Sequence, residues 1–148
     1  MKNKYFLLLT AAYLFAMTAC NPLKCDECPD ADYKAIIFYS KTDSTDIINS
    51  GQYFLDSLRI TSILIDASLP GPTIQINTDY QYAFISASKN TAGYIIQLDS
   101  LPPDTLLVTT QQSDGDGCCP SITEFDKLLL NGDAIFNDYT VQAIKLYK

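Results

Sequence analysis

Short apolar segments separated by turn residues constrain the fold of this chain more than any other feature. Residues 33–39 are rich in β-branched and aromatic side chains, and residues 92–99 alternate between apolar and polar ones. β-Strands have this composition and this period of two. Comparable segments occupy residues 53–66, 73–77, 81–88, 105–111, 125–136 and 139–147. Turn signals about every 8 to 12 residues predict an all-β antiparallel sandwich, immunoglobulin-like, with a small β-barrel as the alternative.

Two short turns are expected to join neighbouring strands as hairpins. Asn131-Gly132 lies between apolar runs and suits a type I′ turn, which needs positive φ at both central residues. Lys89-Asn90 lies between the segments 81–88 and 92–99, which are expected to pair with each other. One or two helical turns over residues 124–130 are the alternative to a strand before Asn131.

The first 19 residues have the composition of an export signal. Two lysines precede an apolar run from Tyr5 to Met17, and the small residues Thr18 and Ala19 follow it. A positive start, an apolar middle and a small-residue end are typical of a secretory signal peptide. The apolar run has about 13 residues, fewer than the roughly 20 that a membrane-spanning helix needs. We therefore expect a cleaved signal helix.

Met17-Thr18-Ala19-Cys20 resembles the lipobox of bacterial lipoproteins, with Met17 where that motif prefers Leu. The resemblance implies that Cys20 receives a diacylglycerol, that the chain is cut before it, and that the new amine is acylated, for example with palmitate. Two or more acyl chains anchor a protein stably, at roughly 0.8 kcal/mol per buried methylene. Asn21 replaces the Asp that retains such proteins in the inner membrane, which implies the outer membrane. An ordinary signal peptide with an incidental Cys20 is the alternative.

The sequence predicts a signal peptide over residues 1–19, a lipidated tether over residues 20–32 and one domain over residues 33–148. Cleavage leaves 129 of the 148 residues, enough for one hydrophobic core. It also removes two lysines, so 8 basic residues remain against 17 acidic ones and the net charge is −9. Such an acidic chain is unsuited to nucleic acid. Because it has no His, it lacks the commonest general base and zinc ligand.

Four cysteines remain beside Cys20, namely Cys25, Cys28, Cys118 and Cys119. An even number in an exported protein predicts disulfides. A bond between adjacent cysteines would be strained, so Cys25 and Cys28 are each expected to pair with one of the adjacent two. A closed loop of about 90 residues would contribute roughly 4 to 5 kcal/mol in the chain-entropy treatment, and it would hold the domain near its anchor. A redox-active Cys25–Cys28 pair and a four-thiolate zinc site are the alternatives.

A flexible loop places Asp114 and Asp116 two residues apart, each followed by Gly. Calcium favours such oxygen-rich loops, so calcium binding through these two carboxylates is one interpretation. A plain turn is the other, because Asp-Gly pairs are typical of turns. No further cofactor is expected.

Ten tyrosines are many for a chain of this length. Tyr80, Tyr82 and Phe84 are expected to share one strand face, and Tyr33 and Tyr39 another. Exposed tyrosines on a sandwich stack on sugars or contact a protein partner. The alternative is that these rings only pack across the sheets.

Taken together, these features predict a lipid-anchored protein of the cell envelope with a non-catalytic binding or scaffolding role at the outer membrane. Beyond the lipobox, the layout resembles small β-sandwich envelope lipoproteins of unassigned function. The expected partners are the membrane itself and an envelope protein or glycan, and the membrane face is left open. A thiol-redox protein and a calcium-dependent binding protein are the alternatives.

Overall fold

The computed structural model describes residue 28 and residues 31–78, 81–114, 119–135 and 143–148. Contacts between Cα atoms define two compact units, one of residues 1–30 and 114–122 and one of residues 31–113 and 123–148. The second unit contains two β-sheets. The expected signal helix and the lipidation site at Cys20 lie outside the described residues. Within the described part of the chain, no helix has the length and apolar character needed to cross a bilayer.

Nine strands are present in the described residues, and each overlaps a segment that the sequence pattern marks, although β5, β6 and β7 begin one to three residues earlier than expected. Their bounds are β1 Tyr33–Tyr39, β2 Leu58–Leu64, β3 Ile74–Asn77, β4 Tyr82–Ser86, β5 Thr91–Leu98, β6 Asp104–Ser113, β7 Ile122–Leu130, β8 Asp133–Ile135 and β9 Ala143–Tyr147. The segment expected from residue 53 becomes a strand only at Leu58, because a 3-10 turn over Leu55–Ser57 precedes it.

The strands form two separate sheets, ordered β3-β4-β1-β9 and β2-β5-β6-β7-β8. Antiparallel pairing dominates, and β1 pairs in parallel with β9. The expected all-β sandwich is confirmed. What it shares with an immunoglobulin domain is the arrangement of mostly antiparallel strands in two layers. The sheets do not close on each other, so the barrel alternative is wrong. From β5 to β8 the five-stranded sheet is a meander of sequential strands.

The core lies on the inner faces of the two sheets. Its largest fully buried side chains are Tyr94, Phe38, Phe125, Ile36, Ile85, Ile96, Leu98, Leu106 and Leu146. They follow the period of two in each strand, so Ile36 and Phe38 point inward from β1 while their neighbours point outward. Burying one such aliphatic or aromatic side chain contributes about 1.5 to 3 kcal/mol.

One buried hydrogen bond joins the two sheets through the core. The Tyr94 hydroxyl on β5 donates to the carbonyl oxygen of Ser86 on β4 at 2.6 Å. Burial raises the pKa of the Tyr94 hydroxyl, which therefore stays a donor. Ser86 is itself held by Thr73, whose backbone N–H donates to the Ser86 hydroxyl at 2.8 Å. The bond between Tyr94 and Ser86 fixes the end of β4 against β5 of the other sheet.

Asp32 makes a second connection between the sheets. Its N–H donates to the Thr123 carbonyl on β7, and its own carbonyl accepts from the N–H of Ala87, just after β4. The Asp32 carboxylate accepts from the backbone N–H of Phe125 at 3.3 Å and lies 3.3 Å from the ammonium group of buried Lys34. Asp32, the residue directly before β1, is therefore already part of the sandwich.

The hairpin expected between residues 81–88 and 92–99 is wrong, because β4 and β5 lie in different sheets. β4 is already paired on both sides, with β1 and β3. β5 is likewise paired on both sides, with β2 and β6. Neither strand has an open edge for the other, so residues 87–90 carry the chain from one sheet to the next.

The sequence suggested that Asn90 is a turn residue of a hairpin. In the structure its side chain instead holds a loop in place through hydrogen bonds. Its side chain is nearly fully buried and donates to the carbonyl groups of Asp66, Leu69 and Pro70 at 2.9 to 3.2 Å. Its side-chain oxygen accepts from the N–H of Asp66 at 2.9 Å. The amide thus makes four hydrogen bonds to the segment between β2 and β3.

The Asn131-Gly132 hairpin is confirmed. Both residues have positive φ, 52° and 95°, and β7 and β8 pair antiparallel on either side. Thr105 fixes the turn from β6, since its N–H donates to the Asn131 side-chain oxygen at 2.8 Å. The helical alternative for residues 124–130 is wrong because they form part of β7. Phe136 and residues 139–142, expected in the last two strands, lie outside the described residues.

Removing the Tyr94 hydroxyl should destabilise the sandwich without changing its fold. Tyr94→Phe keeps the ring in the core but leaves the Ser86 carbonyl without this donor, which should cost about 1 to 2 kcal/mol of unfolding free energy. Urea denaturation at pH 7 measures the change. Tyr147→Phe is the matched control, because that residue is 45% exposed and should stay within about 0.5 kcal/mol of the parent. Equal stability of both variants would contradict the role of this bond.

Candidate binding face and disulfide

The alternation of inward and outward side chains along β1 shows which residues form the outer face of the four-stranded sheet. Because Ile36 and Phe38 point into the core, Tyr33, Ile37 and Tyr39 point outward. Residues directly opposite each other on paired strands share a face. The register of β1 with its neighbours therefore decides which side chains join them.

Three neighbouring strands place five aromatic rings on this outer face. In β4, Phe84 lies opposite Ala35 of β1 and shares its outward side with Tyr82. In β9, Tyr147 lies directly opposite Tyr39. We call the five rings the aromatic face, and its members are Tyr33, Tyr39, Tyr82, Phe84 and Tyr147.

The rings of the aromatic face are packed against one another as well as exposed to solvent. Tyr39 and Tyr147 have centroids 5.6 Å apart at an interplanar angle of 30°. Tyr82 and Phe84 meet edge to face at 6.0 Å and 82°. Both separations fall within the range of favourable aromatic pairs. Tyr33 is 36% exposed and Tyr147 45%, while the other three rings are half-buried.

Little formal charge accompanies these rings. Lys145 lies opposite Ile37 and holds its ammonium group 5.6 Å from the centre of the Tyr39 ring. The described residues of the four strands contribute no Asp or Glu to this face. Asp46, which pairs with Tyr39 at the end of the sheet, turns its carboxylate to the N–H groups of Ile48 and Asn49 at 3.0 Å.

The edge strand β3 adds two amide side chains beside the rings. Gln75 lies opposite Phe84, and Asn77 lies opposite Tyr82. Gln75 is exposed. Amides offer both donors and acceptors, so this edge of the aromatic face is polar without being charged.

The sequence identified some of this face and missed the rest. Tyr82 and Phe84 share a face as expected, whereas Tyr80 lies outside the described residues. Tyr33 and Tyr39, expected on a separate face, share one with Tyr82 because β1 and β4 are neighbours. Tyr147 and Lys145 were missed, since no local pattern signals the parallel pairing of β1 with β9.

The outer face of the five-stranded sheet is chemically different. Ile95 and Leu107 are each 41% exposed, and Leu129 is 36% exposed. The three point away from the core because their neighbours Tyr94, Leu106 and Leu128 point into it. We call Ile95, Leu107 and Leu129 the aliphatic face.

A shallow polar cavity of about 330 Å³ opens at one end of the five-stranded sheet. It is lined by Asp56, Ser57, Arg59, Gln97, Asp99 and Ser100. Arg59 and Gln97 are paired across β2 and β5, and the N–H of Asp99 donates to the Ser57 carbonyl at 3.1 Å. All six side chains are at least partly exposed.

In the unit of residues 1–30 and 114–122, Cys28 is bonded to Cys119 with Cα atoms 5.4 Å apart. This is one of the pairings expected from the sequence, and Cys25 and Cys118 lie outside the described residues. The bond joins residues 91 positions apart, so the closed loop contains β1 to β6. It also occupies two thiols that a four-thiolate zinc site would need, and it leaves Cys28 no bond to Cys25.

The predicted calcium loop is described only in part. Asp114 is exposed, and Asp116 lies outside the described residues. Among the residues that the structure describes, no group of three or more His, Cys, Asp or Glu side chains is placed to hold a metal ion.

The fold and its surfaces define a two-layer β-sandwich with an aromatic outer face and a disulfide that closes a loop containing β1 to β6. No protein-family model matches the chain. No curated protein and no solved structure matches it either.

Peptide mapping tests the disulfide directly. Trypsin should release fragments 25–34 and 90–127, which contain all four of these cysteines, and without reductant they should remain joined. In a Cys118→Ser variant, further cleavage after Glu27 should leave the link on the piece that carries Cys28. Separate fragments in the unreduced parent sample, or a link in the Cys118→Ser variant that stays on the piece carrying Cys25, would contradict the observed pairing.

Proposed function

We propose that this protein is a lipid-anchored component of the cell envelope that binds or scaffolds a partner at the outer membrane without catalysing a reaction. The observation that carries the binding role is the aromatic face. The membrane location is supported by the lipobox-like residues 17–20. The two parts of the proposal are independent, because one depends on Cys20 and the other on the outward residues of the four-stranded sheet.

The anchor is proposed to be the acyl chains on Cys20 and not the surface charge of the domain. With 8 basic and 17 acidic residues after removal of residues 1–19, the mature chain has a net charge of −9. Membrane surfaces that contain anionic lipids attract basic segments at about 1 kcal/mol per Lys or Arg, so they repel an acidic domain. Two or more acyl chains are sufficient for stable attachment.

Tyrosine is well suited to the proposed binding role. It supplies a large amphipathic contact surface and has only two side-chain torsions to immobilise, so its entropic cost on binding is small. The contacts of Tyr39 with Tyr147 and of Tyr82 with Phe84 reduce that cost further, since they restrict the rings before a partner arrives. The aromatic face is therefore preorganised for contact with a partner.

Anchoring is tested by replacing the lipidated residue. Cys20→Ser in the natural host should remove the acyl mass from the intact protein and move the protein out of the outer-membrane density fraction. Cys28→Ser is the matched control, because it removes a thiol eight residues away and should keep the acyl mass. A Cys20→Ser protein that still carries acyl chains, or still sediments with the outer membrane, would overturn this part of the proposal.

Binding is tested by truncating rings on one face and aliphatic side chains on the other. Tyr33→Ala with Tyr147→Ala should lower capture of envelope components by the tagged, lipidated protein at least ~10-fold, since truncating an aromatic hot-spot residue costs about 2 kcal/mol or more. Ile95→Ala with Leu107→Ala is the control, because those side chains are 41% exposed, close to 36% for Tyr33 and 45% for Tyr147. Equal loss in both double variants, or no loss in either, would argue against the aromatic face.

A further inference from the structure

We infer that the aromatic face binds an uncharged glycan chain of several sugar units. This inference rests on the proposed function, because it names the class of partner that the same face would take. Four properties of the face support it: its ring surfaces, its amides, its lack of carboxylates and its extent.

The ring surfaces match the apolar side of a sugar. A pyranose presents C–H groups on its faces and hydroxyl groups around its edge. The electron-rich face of a tyrosine attracts such C–H groups, and stacking hides the apolar part of the sugar from water. Tyr33 and Tyr147 are the most exposed rings of the aromatic face, and they belong to the adjacent strands β1 and β9.

The polar groups beside the rings match the sugar edge. Gln75 is exposed on the edge strand β3, opposite Phe84. Its amide can donate to one hydroxyl group and accept from another. Stacking and amide hydrogen bonding together provide what a glycan needs for both affinity and orientation.

The charge of the face favours an uncharged ligand. The mature chain has a net charge of −9, yet the described strand residues of this face contribute no carboxylate. A basic protein partner would bind to acidic residues, and the acidic residues of this chain lie outside the described strands of this face. An anionic polymer would be repelled by the rest of the acidic chain. Among the described strand residues, Lys145 is the cation that this face offers against that repulsion.

The two outer faces differ in the kind of apolar side chain that they expose. The aliphatic face offers Ile95, Leu107 and Leu129, each at least 36% exposed. On the aromatic face, Ile37 is the large aliphatic residue that the described strands contribute, and it is only half-exposed. Exposed aliphatic surface is therefore found on the five-stranded sheet, and the ring surface that can stack on a sugar is found on the four-stranded sheet.

The extent of the face suits a chain and not a single sugar. Tyr33 and Tyr39 are six residues apart on β1, which is about 20 Å at roughly 3.3 Å per residue. From β4 across β1 to β9 the face is about 10 Å wide, at roughly 4.8 Å per strand. An elongated strip of this size accommodates several consecutive sugar units.

Affinity gel electrophoresis of the full lipidated protein in detergent tests the inference. The gels contain one soluble polysaccharide each, either neutral (α-glucan, β-glucan, mannan or galactan) or acidic (alginate). At least one neutral polymer should retard the parent protein, and 500 mM NaCl should leave the retardation unchanged because no ion pair is involved. Retardation by alginate alone, or by none of the polymers, would overturn the inference.

Matched variants then assign the binding to the aromatic face. Tyr33→Ala with Tyr147→Ala should weaken the retardation at least 10-fold, whereas Tyr33→Phe with Tyr147→Phe should largely retain it because the rings remain. Ile95→Ala with Leu107→Ala should match the parent, and thermal melting confirms that all variants are folded. Equal retardation of the alanine and phenylalanine variants would overturn the assignment.

The outcomes separate the two proposals. If no polysaccharide binds but the lipidated protein still captures an envelope protein through Tyr33 and Tyr147, the glycan inference fails and the proposed binding role stands. If the Tyr33→Ala, Tyr147→Ala protein equals the parent in both experiments, the binding role fails as well.

Discussion

Burial of inward-pointing side chains between two sheets is the interaction on which the rest of this structure depends. Most strands of the sandwich present apolar residues to the core at alternate positions, as Ile36 and Phe38 do in β1. That pattern leaves the other positions unconstrained by the core. On the four-stranded sheet five of these positions are occupied by the rings of the aromatic face, and the packing of these rings is a property of the surface and not of the hydrophobic core.

The existence of the strands could be predicted from the sequence because the information is local. Alternation over a few residues marks each strand, and Asn131-Gly132 marks a turn that needs two positive φ angles. Pairing between strands is not local. The segments 81–88 and 92–99 look like a hairpin until the other partners of each are known, and those partners come from distant parts of the chain.

The candidate site likewise has a part that local sequence patterns predict and a part that depends on non-local strand pairing. Tyr82 and Phe84 were found because residues two apart on a strand share a face. Tyr147 was missed because it reaches Tyr39 only through the pairing of the first strand with the last, more than 100 residues away. The buried roles of Asn90 and Asp32 were missed for a related reason: a polar residue beside a strand has the same appearance in sequence whether it faces water or fastens a loop.

The bond between Cys28 and Cys119 also determines how tension would pass through the molecule. A force applied between the chain before Cys28 and the strand β9 follows the covalent path through the two sulfur atoms into β7. The chain between the cysteines, which are 91 positions apart, is bypassed. About 300 Å of chain, at roughly 3.3 Å per residue, therefore cannot be drawn out while the bond is intact. A domain held to a surface at one end and to a partner at the other would resist unravelling from its N-terminal side, because β1 to β6 lie inside a closed ring.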